Sequence, residues 1–422
     1  MEENFNSLKH YNFWDGNVPL LGFLREHYTS TIFKYTDNRL IKVLVGQRRA
    51  GKSYILRQVA HQLITSGINP ENIFYINKEF IDFDFVHNYK DLDKLIKLYK
   101  AKLNPKGKIY LFIDEIQNIV EWERFANSYA QDFTDSYELF ISGSNSKMLS
   151  GELATLLSGR YVTFEVFPFS YAEYRGITHS ETTKQSYIHY MESGGLPELF
   201  VLPNEDTKRN YINAVKDTVL LRDIIQRYSI KDPKLLEDLF VYLVNNASNL
   251  LSINNIANYM KSNGRKTTYD TVANYISYIE DTFLVHKAER FDIRGKETIS
   301  GNGKYYVNDL AYKNYLYSGF GYGIGYKLEN LVYLELRRNG YDVSVGVMRN
   351  KEVDFVAKKA DKILYVQSAY LLVDEKTIKR EYASLESIND SYEKIVVSLD
   401  DITLPQNKGI KHVQAWLLHT LL

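Results

Sequence analysis

The sequence predicts an α/β protein, and three features of its first third carry that prediction. Apolar, β-favouring runs recur at 40–45, 72–77 and 108–113, and they indicate buried strands. Segments with helical spacing of apolar residues, at 54–64 and 91–100, lie between those runs. A glycine-rich segment joins the first run to the first helical segment. Strand, glycine-rich loop and helix in that order are typical of an anion-binding unit.

The glycine-rich segment reads Gly-Gln-Arg-Arg-Ala-Gly-Lys-Ser and is a complete G-x-x-x-x-G-K-S phosphate loop. Two glycines let the backbone approach a phosphate without a Cβ in the way. Lys52 is expected to reach the β- and γ-phosphates, and the Ser53 hydroxyl to hold Mg²⁺. We therefore expect a nucleoside triphosphate to contact one continuous stretch of the chain. Its members are Gly46, Gln47, Arg48, Arg49, Ala50, Gly51, Lys52, Ser53 and Tyr54.

Two acids follow the apolar run at 108–113, as in a Walker B strand. Asp114 is expected in the Mg²⁺ shell, and Glu115 is expected to polarise the attacking water. A cap at the end of an ordinary strand is the plain alternative for either acid alone. After a complete phosphate loop, the second acid favours an NTPase over a small-molecule kinase.

Further polar candidates follow the next two strand-like runs. The run at 137–141 leads to Ser144 and Asn145, either of which is a candidate sensor of the γ-phosphate or the water. The alternative is an ordinary turn after a strand. Arg160 precedes the run at 161–166 and is a candidate arginine finger, in its own chain or across a subunit boundary. The alternative is a surface arginine that caps a helix.

These motifs, taken in order, resemble the bacterial and archaeal AAA+ ATPases that carry a C-terminal, restriction-endonuclease-like domain of unknown function. The resemblance spans nearly the whole chain. It implies a five-stranded parallel core, a helical lid, a winged helix and the C-terminal domain. By analogy with related signalling ATPases, it also implies that Gly195 and Pro197 pack on the adenine. The segments that carry it are 48–53, 112–117, 141–144, 158–160 and 194–197.

The expected domain boundaries follow from the resemblance and from changes of pattern along the chain. We predict an AAA+ core at 1–168, a helical lid at 169–230, a winged helix at 231–318 and a degenerate endonuclease-like domain at 319–422. Two helical segments around a glycine-containing turn and a glycine-spaced stretch at 291–307 favour the winged helix.

Charge argues against DNA as the main partner of the predicted winged helix. Its second helix carries Asp270, Glu280 and Asp281, which is a poor footprint for phosphate. DNA therefore remains an alternative to internal packing or contact with a protein partner.

The C-terminal stretch is not expected to cut nucleic acid. Nucleases that it resembles hold Mg²⁺ between an Asp on one strand and a Glu-x-Lys on the next. Asp354 stands in the first position, but Gln367 and Ala369 replace the second carboxylate and the lysine. An amide is a weak Mg²⁺ ligand beside a carboxylate, and alanine cannot act as acid or base.

Composition limits the remaining classes. The 422 residues carry a formal net charge of zero, so no global field attracts DNA or an anionic membrane. The absence of cysteine excludes disulfides, zinc-thiolate sites and a thiol nucleophile. No apolar run approaches the length of a membrane span, and the beginning of the sequence lacks the features of a signal peptide. These features favour a cytoplasmic protein.

Taken together, the sequence predicts an AAA+ ATPase that hydrolyses ATP with Mg²⁺ to drive or gate a change in its C-terminal half. Two alternatives stay open. One is a slow nucleotide-gated switch that binds a protein partner, and the other is a DNA-processing ATPase with weak or no nuclease activity. Assembly into a homo-oligomer is compatible with all three and is not decided by the sequence.

Overall fold

Five parallel strands form a sheet within the first 166 residues, in the order β2-β3-β4-β1-β5. The first four strands are buried along their whole length, as their apolar composition predicts. The five-stranded parallel core is thereby confirmed. The strands are β1 Ile41–Val45, β2 Ile73–Asn77, β3 Ile109–Asp114, β4 Tyr137–Gly143 and β5 Tyr161–Glu165.

The computed structural model describes residues 2–145, 155–318, 323–349 and 351–422. The chain divides into two compact units, Met1–Val166 and Phe167–Leu422. The first unit contains the parallel sheet and helices on its faces. Their bounds are α1 Glu2–Tyr11, α2 Glu26–Phe33, α3 Lys52–Thr65, α4 Tyr89–Leu103 and α5 Trp122–Gln131.

Helix α3 begins at the phosphate-loop lysine and packs its apolar stripe on the sheet. Ile55, Val59 and Leu63 recur every four residues and are buried there, as the spacing predicts. Helix α4 extends the predicted helical segment at both ends. The Asn88 side chain caps its first turn by accepting from the Lys90 N–H at 2.9 Å.

The second unit combines a helical first half with a large mixed sheet. A π-helical segment, Val219–Gln226, continues directly from the third of its helices. The helices are α6 Tyr171–Thr178, α7 Lys184–Ser193, α8 Glu205–Thr218, α9 Pro233–Asn245, α10 Ile253–Ser262, α11 Tyr269–Asp281, α12 Ile324–Arg338 and α13 Glu375–Glu386.

Eight strands of the second unit pair in the order β13-β12-β11-β10-β9-β7-β8-β6. The short hairpin of β7 and β8 is antiparallel, and β7 pairs with β9 in parallel. The strands are β6 Leu250–Leu251, β7 Val285–Asp292, β8 Glu297–Val307, β9 Asp342–Met348, β10 Lys351–Lys359, β11 Lys362–Ala369, β12 Glu393–Ser398 and β13 Ile410–Gln414.

The pairing of β7 with β9 joins strands from both sides of the boundary predicted at 318/319. Arg290, Phe291 and Asp292 lie opposite residues 345–347, so one sheet runs through both segments. One apolar core also packs helices α9–α12 against this sheet. The finer division into lid, winged helix and C-terminal domain stays a prediction.

In the part of the chain that the structure describes, no helix combines the length and the apolar character that a membrane span needs.

Candidate functional site

The phosphate loop leaves the carboxyl end of β1 and enters α3. Gly46 adopts a φ of +145°, and a Cβ there would overlap the Val166 carbonyl oxygen. Gly51, the residue before the helix, adopts the left-handed region with a φ of +100°. Both conformations favour glycine, so the two fixed positions of the motif have a backbone reason as well as a chemical one.

Lys52 is 4% exposed, and its side chain packs against the backbone of the phosphate loop. Its Nζ donates to the carbonyl oxygens of Gly46 at 2.9 Å and Gln47 at 3.0 Å. The ammonium is therefore held beside the first turn of the loop, where the start of α3 also directs its N–H groups. Cation and helix terminus together suit an anionic phosphate chain.

The segment before α2 packs on the phosphate loop through Arg25, a residue to which the sequence assigned no role. Arg25 is 1% exposed, and its Nη1 donates to the Ala50 carbonyl oxygen at 2.7 Å. Gln58 on α3 donates to the carbonyl oxygens of Leu21 and Phe23, both at 2.7 Å. The buried guanidinium thus ties the lead-in segment to the backbone of the loop.

Asp114, the last residue of β3, is fully buried and surrounded by donors. Its Oδ2 accepts from the Tyr75 hydroxyl at 3.0 Å and the Asn77 amide at 2.8 Å, and its Oδ1 accepts from the Ser142 hydroxyl. The parallel register places Asn77 directly beside Asp114, because their strands end together. Three neutral donors stabilise a buried carboxylate without cancelling its charge.

Glu115 follows Asp114 with a positive φ of 54°, and its N–H donates to Ser142 Oγ at 3.0 Å. The carboxylate is 6% exposed. Burial raises the pKa of Glu115, and the Lys52 ammonium opposes that rise while Asp114 adds to it. Because β3 and β1 belong to one parallel sheet, the two acids and the phosphate loop lie at the same edge and form one site.

Strand β4 lies between β3 and β1, so its end is placed between the two acids and the phosphate loop. Ser144 and Asn145 are both buried at this end. Ser144 Oγ lies 3.4 Å from the Gln117 side-chain amide, which also donates to Glu115. Their position fits the sensor role predicted for them, and that role stays a prediction.

Arg160 lies at the opposite end of the sheet. The Ile41 N–H donates to the Arg160 carbonyl oxygen at 2.9 Å, beside the first residue of β1. The phosphate loop leaves the other end of β1, roughly 13 Å away along the strand. Arg160 is exposed, and its backbone lies beside the amino end of β1. Its role as a finger stays a prediction, and this placement favours action between subunits over action within one chain.

Mg²⁺ is the cation to which the donor chemistry of the site is suited. Ser53 supplies a partly exposed hydroxyl, and Asp114 supplies a carboxylate with four acceptor positions, of which three are taken by protein donors. Mg²⁺ accepts such oxygen ligands together with water and phosphate oxygens. The residues present thus fit the ion that the sequence predicts, and Ser53 and Asp114 stay its predicted protein contacts.

Tyr54 and Pro197 complete the predicted nucleotide contacts. Tyr54 is 37% exposed, and the Arg57 guanidinium lies 4.4 Å from the centre of its ring. Pro197 belongs to the second unit, where it opens a short 3₁₀ turn after a Gly-Gly bend. A side chain at Gly195 would overlap the Phe169 carbonyl oxygen, so the bend requires glycine there.

A charge cluster that is buried except at Glu352 lies in the second unit around Asp354. The Lys304 ammonium lies 2.9 Å from a Glu329 oxygen, 2.8 Å from Glu352 and 3.7 Å from Asp354. Burial lowers the pKa of Lys304, but the three carboxylates outweigh it and raise that pKa overall. Lys304 therefore stays charged and supplies the cation among these acids.

Asp354 also contacts Gln367, the residue predicted to replace a nuclease carboxylate. Gln367 accepts from the Asp354 N–H at 3.3 Å, and Asp354 itself accepts from the Ser368 N–H and hydroxyl, both at 2.8 Å. Among the described residues, no group of three or more acidic or histidine side chains is arranged to hold a metal ion.

Several residues of the site escaped the sequence motifs. The sequence assigned no role to Tyr75, Asn77, Ser142 or Gln117, although each contacts one of the two acids. Asn77 carried a usable signal, because polar residues at the ends of adjacent parallel strands meet at one edge. Arg25 carried none, since only the chain path brings it to the phosphate loop.

Family comparisons match two parts of the chain. Residues 38–175 match a model described as an AAA domain, and residues 184–322 match a domain of unknown function, DUF8612. An uncharacterized protein of Haemophilus influenzae is 36% identical over 400 residues, which are 93% of this chain and 98% of that protein. An uncharacterized protein of Methanocaldococcus jannaschii is 33% identical over 390 residues, with 86% of this chain and 81% of that protein covered.

Two solved structures align with part of the chain. A Walker-type ATPase of Pyrococcus abyssi aligns with a TM-score of 0.47 at 14% identity, over 70% of this chain and 95% of that chain. The ORC1 protein of Aeropyrum pernix, solved in complex with DNA, aligns with a TM-score of 0.33 at 12% identity, over 72% of this chain and 95% of that chain.

Proposed function

The chain belongs to the family of AAA-domain proteins that includes the Haemophilus influenzae and Methanocaldococcus jannaschii relatives, and from that premise we propose that it hydrolyses ATP to ADP and phosphate. One observation carries the proposal. The parallel sheet brings the phosphate loop and two buried acids to one edge.

Each group has a distinct part in the reaction. The loop N–H groups and Lys52 bind the phosphates and neutralise their charge. Glu115 accepts a hydrogen bond from water, whose oxygen forms a bond to the γ-phosphorus as the bond to the β–γ bridging oxygen breaks. ADP leaves with that electron pair, and the proton of the water passes to Glu115 and then to solvent.

Mg²⁺, held by Ser53 and Asp114, supplies positive charge to the phosphate oxygens when it is bound. The buried donors Tyr75, Asn77 and Ser142 keep Asp114 oriented toward that position. Ser144 and Asn145 are the proposed sensors at the end of the intervening strand.

Phosphate release from three proteins tests the hydrolytic function. Glu115→Gln is expected to bind ATP as the wild type does and to turn over at least about 100-fold more slowly, the usual contribution of a general base. Lys52→Ala is expected to lose ATP binding as well. Binding is measured by calorimetry with ATP and Mg²⁺, and turnover by a phosphate-release assay. Equal rates in all three proteins would contradict the assignment.

A binding or signalling role for the second unit is favoured over cutting. Lys304 already supplies a cation to Glu329, Glu352 and Asp354, so we propose that these acids stabilise the fold and do not activate water.

A slow nucleotide-gated switch is the alternative to an ATPase that turns over continuously. Turnover well below about 1 s⁻¹ that a protein partner changes and DNA does not would favour that rival.

We propose that α10, α11 and the β6–β8 strands form a winged helix, since two helices flank a short turn and a hairpin follows. A shallow recess of about 690 Å³ lies at the turn, and Lys261, Arg265 and Lys266 line it. Arg265 is also paired with Asp238 at 2.6 Å, which reduces the positive charge offered to DNA. ATP turnover that rises with added duplex DNA and falls in Lys261→Glu would support the DNA-processing alternative.

A further inference from the structure

Gln117 lies two residues after Glu115 in a short 3₁₀ turn, Ile116–Asn118. Its Nε2 lies 2.5 Å from Glu115 Oε2 and 3.4 Å from Ser144 Oγ. Within the described part of the chain, this amide is the one hydrogen-bond donor to the Glu115 carboxylate. Glu115 and Ser144 are thus linked through the side chain of a residue that has no assigned role.

We propose that Gln117 is a positioning residue for ATP hydrolysis, which holds the Glu115 carboxylate in the direction of the attacking water. The inference rests on the hydrolytic function proposed above. The Glu115 backbone is already fixed, because its N–H donates to Ser142 Oγ at 3.0 Å. Gln117 restrains the carboxylate at the far end of the Glu115 side chain, so the rotamers of Glu115 are limited before substrate binds.

The chemistry of the pair determines the orientation of the amide. An ionised carboxylate only accepts hydrogen bonds, so the Gln117 NH₂ group faces Glu115. Gln117 Oε1 is then left buried, and no residue in the described ranges donates to it. A buried acceptor without a partner lowers the stability of the fold.

That cost separates a functional from a structural role. An apolar side chain of similar size would remove the unpaired oxygen along with the amide donor. If stability determined the choice of residue, leucine or methionine would serve better at this position. The benefit of glutamine is its contact with Glu115.

The test compares Gln117→Leu with a matched control in the full-length protein. Asn118→Ala changes the next residue of the same turn, whose side chain is exposed. For Gln117→Leu we expect kcat to fall about 10- to 100-fold, since misplacement of a reacting group has effects of that size. The affinity for ATP with Mg²⁺ should stay within about two-fold of wild type, and the thermal midpoint should equal or exceed it. Asn118→Ala should match wild type in all three measurements.

A double-mutant cycle identifies the group through which Gln117 acts. In the Glu115→Gln background, adding Gln117→Leu should lower kcat no further, because the side chain that Gln117 positions is no longer a carboxylate. Additive losses would overturn the inference, as would wild-type or higher kcat in Gln117→Leu. A lower thermal midpoint with a parallel loss of ATP affinity would assign Gln117 a structural role instead.

Failure of the proposed function has a different signature. In that case the wild type and Glu115→Gln would release phosphate at the same rate, and the inference would fall with the hydrolytic function. A wild-type rate that Glu115→Gln abolishes and Gln117→Leu leaves unchanged would overturn the inference on Gln117 and keep the ATPase.

Discussion

Asp309 shows how a single buried carboxylate organises a turn in the second unit. It is 2% exposed and accepts from the Gly195 N–H at 2.9 Å and the Ala311 N–H at 2.8 Å. Gly194, with a φ of +77°, leaves room for this carboxylate where a Cβ would overlap it. Burial raises the pKa of Asp309 to about 6, against the opposing effect of the backbone donors and Arg338. The bend before Pro197 therefore depends on an acid that the fold keeps partly protonated.

Asp309→Asn should change the pH dependence of stability in a defined direction. Between pH 4 and pH 6 the folded protein holds a proton on Asp309 that the unfolded chain has lost, so wild-type stability falls as pH rises through that range. Asparagine is neutral throughout. When the pH is raised from 5 to 7, the unfolding free energy of the variant should therefore rise by about 1 kcal/mol relative to that of the wild type. Urea unfolding measures it, and an equal difference at both pH values would contradict the prediction.

At the scale of elements, an ion pair joins two central strands of the parallel sheet. Lys42 on β1 and Glu138 on β4 are both fully buried, with Nζ and Oε1 2.5 Å apart. Lys108 approaches the other Glu138 oxygen at 3.2 Å. Burial lowers the pKa of Lys42, and its contact with Glu138 opposes that shift. Each charge is tolerated in the sheet because the other is present.

Lys42→Met should destabilise the protein by about 3–5 kcal/mol, because it leaves the Glu138 carboxylate buried with less compensation. Adding Glu138→Leu should recover at least half of that loss. Lys97→Met is the control, since the exposed Lys97 lies 2.7 Å from the half-buried Asp93 and pairs near the surface contribute at most about 1 kcal/mol. Denaturant unfolding at pH 7 gives the three values. A double variant no more stable than Lys42→Met would refute the pairing argument.

At the scale of the whole molecule, the position of Arg160 bears on whether the protein works as an oligomer. The sheet separates its backbone from the phosphate loop by the length of β1, so we propose that any role in hydrolysis is exerted on a neighbouring subunit. Such an arrangement makes each site depend on two chains. It also makes activity depend on protein concentration.

Mixing two inactive variants tests this arrangement. Arg160→Ala keeps its own phosphate loop, and Lys52→Ala keeps Arg160, so a mixed assembly contains sites with both groups. We expect each variant alone to lose at least about 10-fold in turnover, and the mixture to recover a substantial part of it. Phosphate release measures recovery, and light scattering with ATP measures size. Full activity of Arg160→Ala would remove the finger from the mechanism, and a mixture without recovery would contradict action between subunits.

The sequence by itself determined the nucleotide core. Its G-x-x-x-x-G-K-S string, its buried strands and the acids at 114 and 115 are local patterns, and local backbone and solvation requirements produce them. The five parallel strands and the α3 helix follow these patterns closely. The helices at 253–262 and 269–281 follow their apolar spacing and their caps at Ser252 and Thr268 in the same way.

Only the tertiary structure decided which distant residues meet. Arg25 reaches the phosphate loop, Ser142 joins both acids, and Lys304 enters the acidic cluster through chain paths that no local pattern encodes. The pairing of β7 with β9 likewise carries one sheet across the domain boundary predicted at 318/319. The physical reason is common to all four. Burial forces each polar group to find a partner, but which partner is near depends on the whole fold.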